Sequence, residues 1–357
     1  MIRVVIVDDS RLMRRILRKT LEEDPQIKVI GEAKNGLEAV NLVKELDPDI
    51  VIMDIVMPKM DGIQAIKNIM ADKPVPILVF SSITHKGAKA TIEALEAGAL
   101  DVIAKPGGMP TVFDLNEIRR ELIRKVKVLA TIGRAKLITR LTLRNISKKR
   151  KEDSQKASVI SILAASTGGP QTIMSIMSKV SGRIPAGHLI VQHMPPLFTK
   201  TFAQRLNVIS EIKIKEAEDG DEILAGCGYV APGGYHMIVR MKRGRLIIEL
   251  YRGPKIHGVR PAADITLKSV AKEFGRYCIA TILTGMGCDG ADGACAIKEK
   301  GGFVIAQDEK TSIVWGMPRC TIERGCAHKI LSLDKIPYEI NNLLLRKLRE
   351  SKVIEKW

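Results

Sequence analysis

The chain has 357 residues, of which 45% are hydrophobic, and 57 Lys and Arg against 40 Asp and Glu give a formal net charge of +17. That length suits two domains of common size, each able to fill a core. No apolar run reaches the roughly 20 residues of a membrane span, and "MIRVVIVDDS" reads as a first strand rather than a signal peptide. All six cysteines (Cys227, Cys278, Cys288, Cys295, Cys320 and Cys326) fall in the second half with no C-x-x-C pair. This argues against a zinc site or a disulfide framework and suits a reducing cytoplasm. Few Asn and Gln beside many Ile and Lys lean towards a heat-adapted source.

From the N-terminus, "RVVIVDD", "KVIGEA", "DIVIMDI", "PILVFSS" and "DVIAKP" read as strands. The segments "SRLMRRILRKTLEED", "GLEAVNLVKEL", "GIQAIKNIMA", "KATIEALEAGA" and "VFDLNEIRRELIRKVKVL" carry apolar residues at helical spacing. Five strands alternating with five helices predict an α/β unit with a parallel sheet, and functional groups then gather beyond the carboxyl ends of its strands. Those ends carry Asp8 and Asp9, Asp54, Ser81 and Lys105. Clustered carboxylates repel unless a hard cation joins them, and Mg²⁺ takes such oxygen ligands. A single Asp at a strand end is most simply a helix cap, but five such positions on four strands call for more than capping.

These residues, in "VDDS", "MDIVMPKMDG", "FSS" and "AKP", resemble a two-component response-regulator receiver domain over about residues 1–125. The resemblance implies that a histidine kinase phosphorylates Asp54. It also implies that Asp8, Asp9 and Asp54 hold Mg²⁺ while Ser81 and Lys105 sense the phosphoryl group. Val102 stands where many receivers carry a switching aromatic residue.

The segment from Arg119 to Lys156 holds 14 Lys and Arg against three acids, so most of the excess charge is local. Residues 126–157 are expected to form a basic linker, with "NISKKRKEDSQKAS" as a solvated stretch. Around residues 115–144 an apolar period persists, which predicts helix with a cationic face. Lys148, Lys149, Arg150 and Lys151 suit weak contact with an anionic membrane surface or acidic protein helices. No aromatic platform accompanies them, so no specific nucleic-acid partner is expected.

The α/β pattern resumes over residues 158–350. "SVISILAAS", "GHLIVQHM", "YCIATILTGM" and "GFVIAQDE" read as strands, and "PQTIMSIMSKV", "FTKTFAQRLNVI", "PAADITLKSVAKEFG" and "DGADGACAIKEKG" as helices. Between about Ile212 and Leu250, Gly and β-branched residues predict short strands or hairpins. The expected fold is a doubly wound, mostly parallel sheet with an antiparallel portion.

Ser166 ends a strand, and "TGGP" turns the chain into a helix with proline in its first turn. Such a turn aims backbone N–H groups and a positive helix end outward, a setting suited to a developing anion. His193 ends the next strand and Asp289 follows a later one, so all three come at one sheet edge, as Ser–His–Asp chemistry requires. Each has a plainer explanation alone: an N-cap, a core histidine and an Asp-Gly turn. Together, with Gly285 and Gly287 leaving room beside Met286, they make the catalytic reading stronger. Their order and the absence of G-x-S-x-G separate them from α/β-hydrolases.

"ASTGGP", "VQHMP", "APGGYHM", "ILTGMGCDGADG" and "VWGMP" resemble the catalytic domain of the chemotaxis protein-glutamate methylesterases/glutamine deamidases. With the receiver in front, the resemblance spans nearly the whole chain and implies a chemotaxis histidine kinase as the phosphodonor. It implies hydrolysis of glutamate methyl esters, and deamidation of selected glutamines, on methyl-accepting chemotaxis receptors, with no cofactor for the hydrolase step. Ser166 is then the nucleophile, His193 the general base and acid, and Asp289 the orienting carboxylate. Met286 N–H, assisted by Thr167, is the oxyanion donor. His257 and Arg260 serve either the pocket or packing, and His85, His188, His236 and His328 are expected to be structural. A DNA-binding output lacks a helix-turn-helix pattern. A non-catalytic binding module fits poorly with an intact triad, and Cys288 as nucleophile has no evident partner.

Overall fold

The computed structural model describes residues 1–82, 84–105, 112–133, 137 and 155–354, which fall into two units, Met1–Arg140 and Leu141–Trp357. Lys148, Lys149, Arg150 and Lys151, with most of the basic segment, lie outside the described residues.

In the first unit, strands β1 (Ile2–Val7), β2 (Ile27–Ala33), β3 (Ile50–Met53), β4 (Ile77–Ser82) and β5 (Asp101–Lys105) alternate with helices. These are α1 (Arg11–Glu22), α2 (Gly36–Leu46), α3 (Gly62–Asp72), α4 (His85–Ala97) and α5 (Val112–Leu129). The strands pair in parallel in the order β2-β1-β3-β4-β5. The Val- and Ile-rich central strands β1, β3 and β4 are buried on both faces over most of their length, as a sheet covered by helices demands, while the edge strand β2 exposes Lys28 and Glu32. Ser10, Asn35, Asp61 and Thr84 cap the first four helices, each side chain accepting a backbone N–H from three residues on.

The second unit is built on seven strands: β6 (Val159–Ala165), β7 (Ala186–Gln192), β8 (Lys213–Glu216), β9 (Cys227–Val230), β12 (Cys278–Ile282), β13 (Phe303–Gln307) and β14 (Lys329–Leu331). All pair in parallel, in the order β14-β13-β12-β6-β7-β9-β8. The chain leaves β6 towards β7 and later returns to its other side through β12, so topology reverses at β6. Around the sheet lie α6 (Gly169–Met177), α7 (Phe198–Ile209), α8 (Ala263–Phe274), α9 (Ala291–Glu299), α10 (Met317–Glu323) and α11 (Ile336–Ile354). The antiparallel portion is a separate hairpin of β10 (His236–Lys242) and β11 (Arg245–Tyr251). The region expected to hold short strands or hairpins has both, since β8 and β9 are short strands that extend the parallel sheet and β10 and β11 form the hairpin. Gly and β-branched composition is the same for both outcomes.

Cysteine usage departs from expectation. Cys288 bonds to Cys320 and Cys295 to Cys326, joining α9 and the residues before it to α10 and the turn after it. The two pairs are 32 and 31 residues apart in sequence, and it is the packing of α9 on α10 that brings them together. Cys288 therefore carries no free thiolate to act as nucleophile.

His236 and His328 take part in backbone hydrogen bonding: Ala262 N–H donates to His236 Nδ1 at 3.2 Å, and Val304 N–H donates to His328 Nδ1 at 3.0 Å. His188, in the middle of β7, is buried with no partner for its Nε2, and burial pushes its pKa down to about 4. In the unfolded chain the ring titrates near its ordinary value of about 6.5, so between these limits the unfolded state binds more protons. The stability that rests on a neutral His188 is complete above about pH 6.5 and is lost as pH falls towards 4. Replacing His188 with Leu should remove about 2–3 kcal/mol of the second unit's stability loss between about pH 7 and 4.5. Urea unfolding at the two pH values measures it, and equal pH dependence in parent and variant would exclude this role.

Candidate active site and phosphoacceptor site

The reversal of topology at β1 puts the ends of β1 and β3 side by side, and the acids collect there. Asp8 and Asp54 are buried, Asp9 is exposed, and their carboxylate oxygens lie within 4.8 Å of one another. Lys105 Nζ reaches both Asp8 Oδ2 and Asp54 Oδ2 at 2.7 Å. Asp54 Oδ1 accepts the N–H of Ile55 at 2.7 Å, and Asp8 Oδ1 that of Ser10 at 2.9 Å.

Burial pushes the Asp54 pKa up and the Asp8 charge adds to it, which together outweigh the opposing pull of Lys105. For Lys105, burial works against the charged form, but the two carboxylates prevail and hold the ammonium above its ordinary value. Ser81, buried on β4, pairs with Ala104, next to Lys105. At Gly62 a Cβ would collide with the Asp54 carbonyl, so the glycine of "MDG" permits α3 to begin against the acid. Val102 is buried on β5. A set of carboxylate oxygens is what a hard divalent cation such as Mg²⁺ requires, so these residues fit that ion.

In the second unit, Ala165 and Gln192 are the last paired residues of β6 and β7, so Ser166 and His193 follow side by side. His193 N–H donates to Ala165 O at 3.1 Å, and Ser166 N–H to Thr284 O, just past β12, at 3.0 Å. Gly168, at φ 76°, closes the turn in a conformation that favours glycine. The α6 start carries no side-chain cap, and Pro170 occupies its first turn.

His193 Nε2 lies 2.7 Å from Asp289 Oδ2. Asp289 is buried and also accepts Ala263 N–H (2.6 Å) and Asp264 N–H (3.0 Å) at the start of α8. Ala262 has no polar side chain to cap that helix, so Asp289 supplies the cap from another part of the chain. Burial would raise the Asp289 pKa, but His193 and the two N–H donors outweigh it and hold the carboxyl below its ordinary value. Among the described residues the Ser166 hydroxyl makes no hydrogen bond to the His193 ring. Catalytic contacts are often loose until substrate binds.

Gly285 donates its N–H to Val314 O at 2.9 Å and accepts from Gly316 and Met317 at 3.0 and 2.9 Å. A Cβ on Gly285 would come within 2.9 Å of Ser166 Cβ, which is why the loop needs glycine there. The Met286 N–H makes no hydrogen bond among the described residues. Thr167 is buried, and its carbonyl accepts Thr284 Oγ1 at 2.9 Å. His257 Nε2 faces Asp264 Oδ2 at 2.9 Å, and Arg260 Nη1 donates to Gly253 O at 2.6 Å. Sequence reasoning overlooked the buried polar residues behind these groups: Gln192, Thr284 and Gln307. Gln307 Oε1 accepts Thr284 N–H at 2.9 Å.

Asp289→Ala should leave two buried backbone donors and the His193 ring unsatisfied. The cost is about 2–4 kcal/mol, with Asp289→Asn losing less because it keeps one acceptor. Denaturant unfolding of the second unit checks the order, and equal stability of the two variants would contradict it.

Residues 161–340 match the profile of the CheB methylesterase family, and residues 4–115 match that of the response regulator receiver domain. The protein-glutamate methylesterase/protein-glutamine glutaminase of Pyrococcus abyssi is 46% identical over 338 residues, 94% of this chain and 92% of that protein. Its counterpart in Archaeoglobus fulgidus is 41% identical over 354 residues, 98% and 99% of the two chains. The crystal structure of the Thermotoga maritima CheB methylesterase catalytic domain superposes with a TM-score of 0.51 at 44% identity, covering 52% of this chain and 98% of that one. With receiver and hydrolase signatures in one chain and such similarity over nearly its full length, the chain belongs to the CheB family of protein-glutamate methylesterases/protein-glutamine glutaminases.

Proposed function

We propose that the chain is a cytoplasmic, phosphorylation-activated hydrolase of methyl-accepting chemotaxis receptors, using Ser166, His193 and Asp289. The observation that carries this reading is the hydrogen-bonded pair of half-buried His193 and buried Asp289, which comes beside Ser166 at the point where sheet topology reverses. Ser166 Oγ attacks the side-chain carbonyl carbon of a glutamate methyl ester. His193 Nδ1 takes the serine proton, because Nε2 is held by Asp289. Asp289, kept ionised, stabilises the imidazolium that forms. The tetrahedral oxyanion accepts hydrogen bonds from Met286 N–H and Thr167. His193 then returns its proton to the departing methoxide, and methanol leaves. Water, deprotonated by the same ring, attacks the acyl-enzyme and releases glutamate and free serine. With glutamine as substrate, ammonia leaves in place of methanol.

In the receiver, Asp54 accepts a phosphoryl group from the histidine of a kinase. Asp8, Asp9 and Asp54 would hold Mg²⁺, which neutralises charge on the phosphoryl oxygens. Lys105 pairs with the phosphoryl group and Ser81 hydrogen-bonds to it, so the ion pairs now made by Lys105 change partner on phosphorylation.

Ser166→Ala should reduce methanol release from methylated receptor by about 10³-fold or more while the protein stays folded. Parent-like release by that variant would remove Ser166 from the mechanism. Asp54→Asn should keep the basal rate but lose the acceleration given by a small-molecule phosphodonor and Mg²⁺. A fragment beginning at Ser158 should be fast without the phosphodonor. If it is no faster than the unphosphorylated full chain, the receiver does not restrain the hydrolase.

A further inference from the structure

Gln192 is the last residue of β7, and its side chain is fully buried. Its Nε2 donates to Ser166 O at 2.9 Å and to His193 O at 3.2 Å. One amide group therefore ties the backbone of the residue proposed as nucleophile to that of the proposed base. Its Oε1 has no hydrogen-bond partner.

A buried amide with an orphaned acceptor is a poor stabiliser, and Met would fill the same space without a desolvated oxygen. Nor is the amide needed merely to satisfy Ser166, whose carbonyl already accepts Gly169 N–H at 2.8 Å. The surrounding sequence makes room for it: a Cβ on Gly169 would collide with Gln192 Oε1. What the amide adds is a fixed relation between two strand ends whose next side chains must meet.

We infer that Gln192 is a positioning residue for the hydrolysis, setting the alignment of Ser166 Oγ with His193 through their two carbonyls. The inference rests on the reading of Ser166 and His193 as nucleophile and base. It touches neither substrate nor the reacting atoms. Misplacement of reacting groups by about 1 Å costs on the order of 10²-fold in rate, so removing the tether should appear in kcat rather than in KM.

The test uses the full-length protein with acetyl phosphate and Mg²⁺, measuring methanol release from membranes carrying methylated receptor. Gln192→Met keeps the volume and deletes both donors. Its kcat should fall at least fivefold, with KM within threefold and the melting temperature within a few degrees of the parent. A smaller loss in kcat, or a loss confined to KM, overturns the proposal. If Gln192→Met melts well below the parent, Gln192→Glu decides by the same thresholds, since it is nearly isosteric and replaces two N–H donors with at most one O–H. Ser166→Ala measured alongside separates the two ideas. If it turns over like the parent, the nucleophile reading has failed; if it is inactive while the Gln192 variant matches the parent, only the role of Gln192 has.

Discussion

The carboxylate of Asp289 receives two backbone N–H groups from the start of α8 and faces His193 Nε2, all within 3.0 Å. One buried side chain is thus at once a helix cap and the partner of the imidazole. Neither task is separable from the other. The donors that satisfy it also keep it charged against the pull of burial, and that charge fixes the ring. Removing the carboxylate would free α8 as well as the histidine, so the fold and the chemistry of this unit share a single anchor.

Both units apply the same geometric rule with different residue types. A parallel sheet reverses its winding at one strand, and the loops beyond that strand diverge to leave a crevice. At β1 the crevice collects carboxylates and a lysine, groups suited to a phosphoryl group and a hard cation. At β6 it collects the Ser166 hydroxyl, the His193 imidazole and the Asp289 carboxylate, with glycines that let two loops approach each other. The partners of the acids separate the two sites. The receiver holds its acids in opposition to a single ammonium, whereas Asp289 is held by backbone donors and an imidazole, with the Asp264 carboxylate within 4.8 Å.

Much of this was readable from the sequence because the strands are short β-branched runs that stop abruptly, and the residue after each stop stands out. Asp54, Lys105, Ser166 and His193 were placed at strand ends in this way. Asp289 was harder, since it lies seven residues beyond β12, yet it still comes beside His193. Strand order was not readable, because hydrogen-bond partners in a parallel sheet are set by distant crossovers; nothing in the sequence told the short strands β8 and β9 from the hairpin of β10 and β11. The supporting layer was also hidden. Gln192, Thr284 and Gln307 lie among apolar residues, and nothing in their spacing tells a buried network from an exposed strand face. The cysteine pairs were misjudged for the same reason, since separations of 32 and 31 residues carry meaning only after α9 and α10 have packed.

Those bridges also shape how the chain would respond to cutting. Cys288–Cys320 and Cys295–Cys326 enclose β13 and the loop over residues 308–316 that packs against Gly285. A protease that nicks that loop severs the backbone between two segments still joined by two sulfur bridges. The pieces would migrate as one chain until reduced, and Cys288, the residue before Asp289, would remain covalently attached to α10. Damage in the loop therefore need not scatter the site.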